Sequence, residues 1–309
     1  MIGLRKQARA LLFFLLSNPF VAVGDRALAD ERQAGGQSAQ KPGGSKVCPE
    51  CREGFYSQKL QNLMVHWPKK NTPFFEQRRQ TLVQMAPMKR LESHSSAPVT
   101  LVPLGKRIMV DALRSGDDPF RVGIHQMMLI HASVAEVATA LAKVEDYVRL
   151  FPDLVSTQLI EATPTSWLTE WVQAPPVFFM PKTKYRLKYV LGDREGGLKT
   201  YRYQLQSGES LTESDGFIVL EPMGAYTFFV EVDFFNANWG IAKSLGGEQI
   251  WKHSLESTLI SDLALALRVE NPKMSFESIR STASAEAAQT NFVELLTVAR
   301  KLEDFYELK

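Results

Sequence analysis

The chain has 309 residues, of which 45% are hydrophobic and 23% charged, with 19 Gly and 16 Pro. These values sit near globular averages and exclude collagen-like, wholly disordered and polytopic membrane proteins. The 36 Lys and Arg against 34 Asp and Glu leave a formal charge of +2 with no long basic run, so nucleic acid has no electrostatic footprint here.

Arg5, Lys6 and Arg9 precede an unbroken apolar run at 10–16, and Ala27-Leu28-Ala29 forms a small-x-small cleavage signature before Asp30. That is the layout of a signal peptide over residues 1–29. Asn18, Pro19, Gly24, Asp25 and Arg26 break the apolar stretch well short of the ~20 residues that span a bilayer, which weighs against the alternative, an uncleaved anchor. Removal of 1–29 takes away four basic residues and one acid, leaving a formal charge of −1. The expected location is periplasmic or secreted.

Residues 30–46 hold Gly, Gln, Ser and Lys without apolar periodicity and read as a flexible leader. Residues 47–105 are a Pro-rich extension, in which Thr72-Pro73 followed by Phe74, Phe75, Leu82, Val83 and Met85 predicts one capped helix. The extension opens with Cys48-Pro49-Glu50-Cys51, the chain's two cysteines. A thioredoxin-like role lacks its βαβ context, c-type haem attachment lacks a following His, and zinc lacks two ligands at usual spacing, so a local disulfide is expected and no metal.

From residue 106 the pattern changes. Residues 120–131 predict a strand, and Ser133 with Glu136 predicts a capping box opening a helix through Val134, Val137 and Leu141. A short helix at 145–150 ends before Pro152. Runs of period two follow at 155–162, 167–172, 183–191, 198–207, 216–220 and 225–235, which describes an antiparallel sheet. Alternation puts Tyr185, Leu187 and Tyr189, then Tyr201, Tyr203 and Leu205, then Tyr226, Phe228, Val230 and Val232 on an inner face, with Glu231 and Asp233 on a wet one. A long helix at 247–269 carries Trp251, Leu255, Leu259, Ala266 and Val269 as the stripe that covers the sheet. Residues 271–309 form a C-terminal helical extension whose stripe, Phe292 and Leu296 included, docks on its own domain.

The segment IHASVAEVATALAKVEDYVRLFPDLVSTQLIE (130–161) and GFIVLEP (216–222) resemble the START-like superfamily (SRPBCC), in its polyketide cyclase and coenzyme Q-binding START branch. The resemblance covers 106–270 and rests on distributed apolar and turn positions. It implies an α+β helix-grip fold, with a curved antiparallel sheet wrapped around a long C-terminal helix. A cavity between sheet and helix would hold a lipid, quinone or polyketide-like molecule. Residues 106–270 are thus a START-like ligand-binding domain, flanked by N- and C-terminal helical extensions.

The candidate ligand-binding residues are Tyr185, Tyr189, Tyr201, Tyr203, Tyr226, Phe228, Trp251 and Leu255. Tyrosine rings with polar tips suit an amphiphile; a filled core whose hydroxyls reach backbone is the competing account. Val177, Phe178, Phe179 and Met180, in the Pro-bounded loop 174–181, are either a lid, a membrane-touching tip in transient contact, or internal packing. No nucleophile–base pair, paired carboxylates or phosphate loop is present; His253 lies one turn from Ser257 without a visible acid partner, and Asp262 stands beside the inner stripe or on a solvated flank. The expectation is a carrier or sensor of a hydrophobic small molecule or lipid without a cofactor. An aromatase/cyclase-type enzyme, which requires acid–base groups converging in the cavity, and an interaction protein with a filled cavity are the alternatives.

Overall fold

The computed structural model describes residues 57–67, 72–85, 108–114, 121–175, 182–209, 211–237 and 247–306, all within the compact unit Lys46–Lys309. The expected signal peptide and leader, Cys48 and Cys51, and Val177, Phe178, Phe179 and Met180 lie outside the described residues.

Eight strands form one antiparallel sheet: β1 (Ile108–Arg114), β2 (Arg121–Ile130), β3 (Leu154–Thr163), β4 (Ser166–Gln173), β5 (Thr183–Asp193), β6 (Lys199–Gly208), β7 (Leu211–Met223) and β8 (Tyr226–Ala237). Their spatial order is β1-β2-β8-β7-β6-β5-β4-β3, so each strand from β4 onward pairs with the one before it, and β8 returns to close against β2. Gly224, at φ 63, supplies the left-handed residue of the β7–β8 turn.

Three helices follow the pattern read from the sequence. In α3 (Val134–Ala142) the Ser133 hydroxyl accepts from the Glu136 N–H at 3.3 Å, and the Glu136 carboxylate accepts from the Ser133 N–H at 2.8 Å. A 3-10 turn (Val144–Asp146) leads into α4 (Tyr147–Leu150), and the long α5 spans Gly247–Glu270. Together with the sheet they make the α+β helix-grip fold. Two helices precede the sheet: α1 (Ser57–His66), which buries Leu60, Leu63 and Met64 at helical spacing, and α2 (Pro73–Met85), entered through Thr72 with Pro73 at its first position. Two follow α5: α6 (Phe276–Ala287) and α7 (Phe292–Thr297).

The sheet is covered on both faces, and this corrects two side-chain assignments. On β8 the expected inner residues Phe228, Val230 and Val232 point to the outer face. There they pack with Leu60, Trp67 and Phe75 of the N-terminal helices and with Leu302, Phe305 and Tyr306 of the C-terminal tail, and Tyr226 rests against the same cluster. Phe229, Glu231, Asp233 and Phe235 occupy the inner parity instead. On α5, Trp251, Leu255 and Leu259 bury themselves against Val122 and Ile124 of β2, Ile279 and Ala283 of α6 and Phe292 of α7. The most apolar stripe of the long helix therefore holds the C-terminal extension and the β1–β2 end of the sheet, leaving a polar stripe over the sheet's middle.

The chain's last described turn ties the two flanks together. Arg114 N–H donates to the Arg300 carbonyl at 2.8 Å and Arg300 N–H to the Ala112 carbonyl at 3.0 Å, which pairs the edge of β1 with the tail. His125, fully buried on the outer face of β2, meets the Tyr306 hydroxyl at 2.7 Å. Burial holds its imidazole below the ordinary value against the pull of Asp111, which is itself paired with Arg78 of α2.

Candidate functional site

Between the inner face of β4–β8 and the polar stripe of α5 lies a cavity of about 190 Å³. Its walls come from β4, β5 and the α4 turn. Tyr147 stacks on Phe151 at 4.6 Å, and Trp171 stacks on Tyr185 at 6.0 Å. Alternation on β4 and β5 delivers these rings to one face, and Tyr147 follows because its hydroxyl donates to the Leu141 carbonyl at the end of α3.

The floor is acidic. Glu231 and Asp233 rise from β8, Tyr203 from β6 and Asp262 from α5. The Tyr203 hydroxyl donates to Glu231 at 2.9 Å, and the Gln126 amide on β2 donates to Asp262 at 2.6 Å and to Glu231 at 3.4 Å. Gly216 opposite Tyr203 makes this arrangement possible, because a Cβ there would lie 1.8 Å from the tyrosine ring.

Burial pushes the Glu231 carboxyl well above the carboxylate range, with repulsion from Asp262 adding to it, and Asp233 rises through burial and the charge of Glu231. Asp262 is pushed up to about 6, mainly by burial, while its bonds to Glu231 and Gln126 hold it back. Burial therefore favours the neutral forms of Glu231 and Asp233.

At the cavity's exposed edge His253 of α5 faces Asp153, in the turn before β3, across 3.0 Å. The bond to Asp153 raises His253 above its ordinary value in spite of burial; burial acts upward on Asp153, but His253 and Ser257 outweigh it and hold its carboxyl low. The acid partner that spacing did not reveal is thus 100 residues upstream in the chain. Asp153 is engaged by both His253 and Ser257.

Tyr185, Tyr189 and Tyr203 line the cavity. Tyr201 shares their face but is packed beneath α3, 5.7 Å from Trp167. Trp251 and Leu255 stand behind α5, and Tyr226 and Phe228 are on the far side of the sheet. Asp262, weighed as a cavity group, is one. Glu231 and Asp233, expected on a wet face, line the cavity instead, and nothing in their own strand distinguishes a wet outer face from a polar cavity face. Tyr147, Phe151 and Trp171 carried no signal beyond their aromatic character.

Among the described residues no group of three or more His, Cys, Asp or Glu is placed to hold a metal ion, and no helix is long and apolar enough to cross a membrane.

No protein-family model and no curated protein matches the chain. Solved structures similar to it include lipid transfer and aromatase/cyclase proteins. The STAR-related lipid transfer protein of Xanthomonas axonopodis is 15% identical, at a TM-score of 0.38, over 57% of this chain and 93% of its own. The lipid transfer and protein localization domain of human StarD13 is 13% identical, at 0.42, over 54% and 85%. The Zhui aromatase/cyclase of Streptomyces sp. R1128 is 14% identical, at 0.32, over 58% and 91%. The likeness is one of architecture.

Proposed function

We propose that this chain is an exported carrier or sensor that binds a hydrophobic molecule with one polar end in the cavity between the sheet and α5. One observation carries the reading: the space is walled by aromatic rings on one side and floored by hydrogen-bonding carboxyls on the other. A close-packed interior would have filled it. Its volume exceeds the roughly 150 Å³ of an engineered apolar cavity that takes up benzene, which sets the scale of the buried part at one or two rings or a short alkyl chain.

Native mass spectrometry of protein purified from its own compartment tests the reading, together with uptake of the neutral fluorophore N-phenyl-1-naphthylamine. A bound small molecule or probe that Tyr185→Ala weakens is the expected result; an empty protein that takes up no apolar probe overturns it. N-terminal sequencing of exported material should begin at or near Asp30 if residues 1–29 are cleaved, and recovery of the intact chain embedded in membrane would overturn export.

A second reading, an aromatase/cyclase-type enzyme, is favoured by the convergence of Glu231, Asp233, Asp262 and Tyr203 on one cavity, because raised carboxyls donate protons near neutral pH. Incubating the native ligand with wild type and with Glu231→Gln separates the two. A new product mass that the variant does not form supports the enzyme, and unchanged ligand supports the carrier.

A further inference from the structure

We propose that the polar end of the ligand is a single positive charge, an organic ammonium seated on the carboxyl floor beside Asp262. The inference rests on the reading of the cavity as a ligand site and adds the charge of what enters it.

Four carboxyl groups line the cavity, and its described lining includes neither Lys nor Arg. His253, the one basic group there, is already engaged by Asp153 at the exposed edge. Among the described residues that line the cavity, the other titratable groups on the Asp262 side are acidic or phenolic: Glu231 and Asp233 from β8, Tyr203 from β6, Tyr189 and Tyr185 from β5, and Tyr147 from α4. A buried carboxylate without a counter-charge is costly, whereas one facing a bound cation is not.

The second observation is independent of the charge count. Gln126, fully buried behind the floor, gives its amide N–H groups to Asp262 and Glu231, while Asp233, in the cavity lining, has an Oδ1 that meets no donor. The orphaned atom of the lining is an oxygen. What the cluster lacks is therefore a donor, and an ammonium brings several N–H groups with the charge. The aromatic walls fit the same guest, since ring faces attract cations. An anionic head would place like charge beside Asp262, and a neutral one would leave the carboxylate uncompensated. Burial favours the neutral forms of Glu231 and Asp233 more strongly than that of Asp262, which makes Asp262 the group that faces a single positive charge.

The test uses three probes of one shape, phenethylammonium, 2-phenylethanol and phenylacetate, titrated into the whole protein by calorimetry and by displacement of N-phenyl-1-naphthylamine. Phenethylammonium should bind at least about tenfold more tightly than the alcohol at pH 7.5, the size of a charge-assisted hydrogen bond, and phenylacetate most weakly. The preference should fade as pH falls below about 6, where Asp262 gains its proton. Asp262→Asn should abolish it, and Phe228→Ala, on the far face of the sheet, should keep it. Equal affinities for the three, or phenylacetate tightest, would overturn the ammonium. If the naphthylamine binds and no ammonium displaces it, the cavity reading stands and the charge assignment fails; if no probe binds at all, the cavity reading falls first.

Discussion

Asp262 costs the folded state stability, and the sign can be worked out. Its carboxyl titrates near 3.8 in an ordinary setting and near 6 when folded, so between those values the native chain binds a proton that the unfolded chain has released. Stability therefore falls as pH rises through that window. Asp262→Asn should flatten the fall: in urea titrations the variant gains on the wild type between pH 4.5 and 7.5, and a gap that stays constant across that range would refute the assignment. Gly216 is the complementary case, a residue that acts by having no side chain. Gly216→Ala puts a methyl into the Tyr203 ring, and overpacking of that kind costs about 1–3 kcal/mol. Because Tyr203 must swing off Glu231 to make room, the variant should also lose probe uptake, which thermal melting and fluorescence would report together.

At the scale of elements, β8 explains how far the sequence was legible. Its strand, its hairpin and its place in an antiparallel sheet followed from period two and from turn residues, as did the capped α3 and the length of α5. The face it turns to the cavity did not. Alternation distinguishes two sides, and the rule that the apolar side is inside holds when only one side is covered. Here both are: Phe228, Val230 and Val232 meet the N-terminal helices, while Glu231 and Asp233 meet an internal space that wants polar groups. On β5 and β6 the same rule succeeded because their opposite parity, with Lys184, Lys188 and Gln206, has less cover. The stripe on α5 misled for the same reason, since its apolar side had a second client in α6 and α7. Phe228→Ala makes the difference measurable. With Phe75 at 6.1 Å and no exposure, its loss should cost about 3–5 kcal/mol in urea unfolding, yet leave probe affinity within twofold of wild type.

The described residues form three layers, in which one sheet separates a densely packed outer core from an inner layer that keeps a space open. The outer core joins chain segments that are far apart in sequence: Trp67 lies 5.9 Å from Tyr306, Lys59 pairs with Glu303, and the Thr72 N–H donates to the Phe305 carbonyl at 3.4 Å. Such a division lets stability be built on one face and binding on the other, since a cavity holding carboxyls contributes little packing and carries the cost of their burial. If the layers are energetically separate, substitutions across the sheet should add. Phe228→Ala and Asp262→Asn share no cluster and no hydrogen-bond partner, so the double variant should match the sum of the single effects within about 0.5 kcal/mol in urea unfolding. Glu231→Gln with Asp262→Asn should depart from additivity by more than that, because both carboxyls share the Gln126 amide and each sets the protonation of the other. Coupling across the sheet as large as coupling within the floor would show that the outer core and the cavity respond as one body, and that ligand uptake inside must be felt by the helices outside.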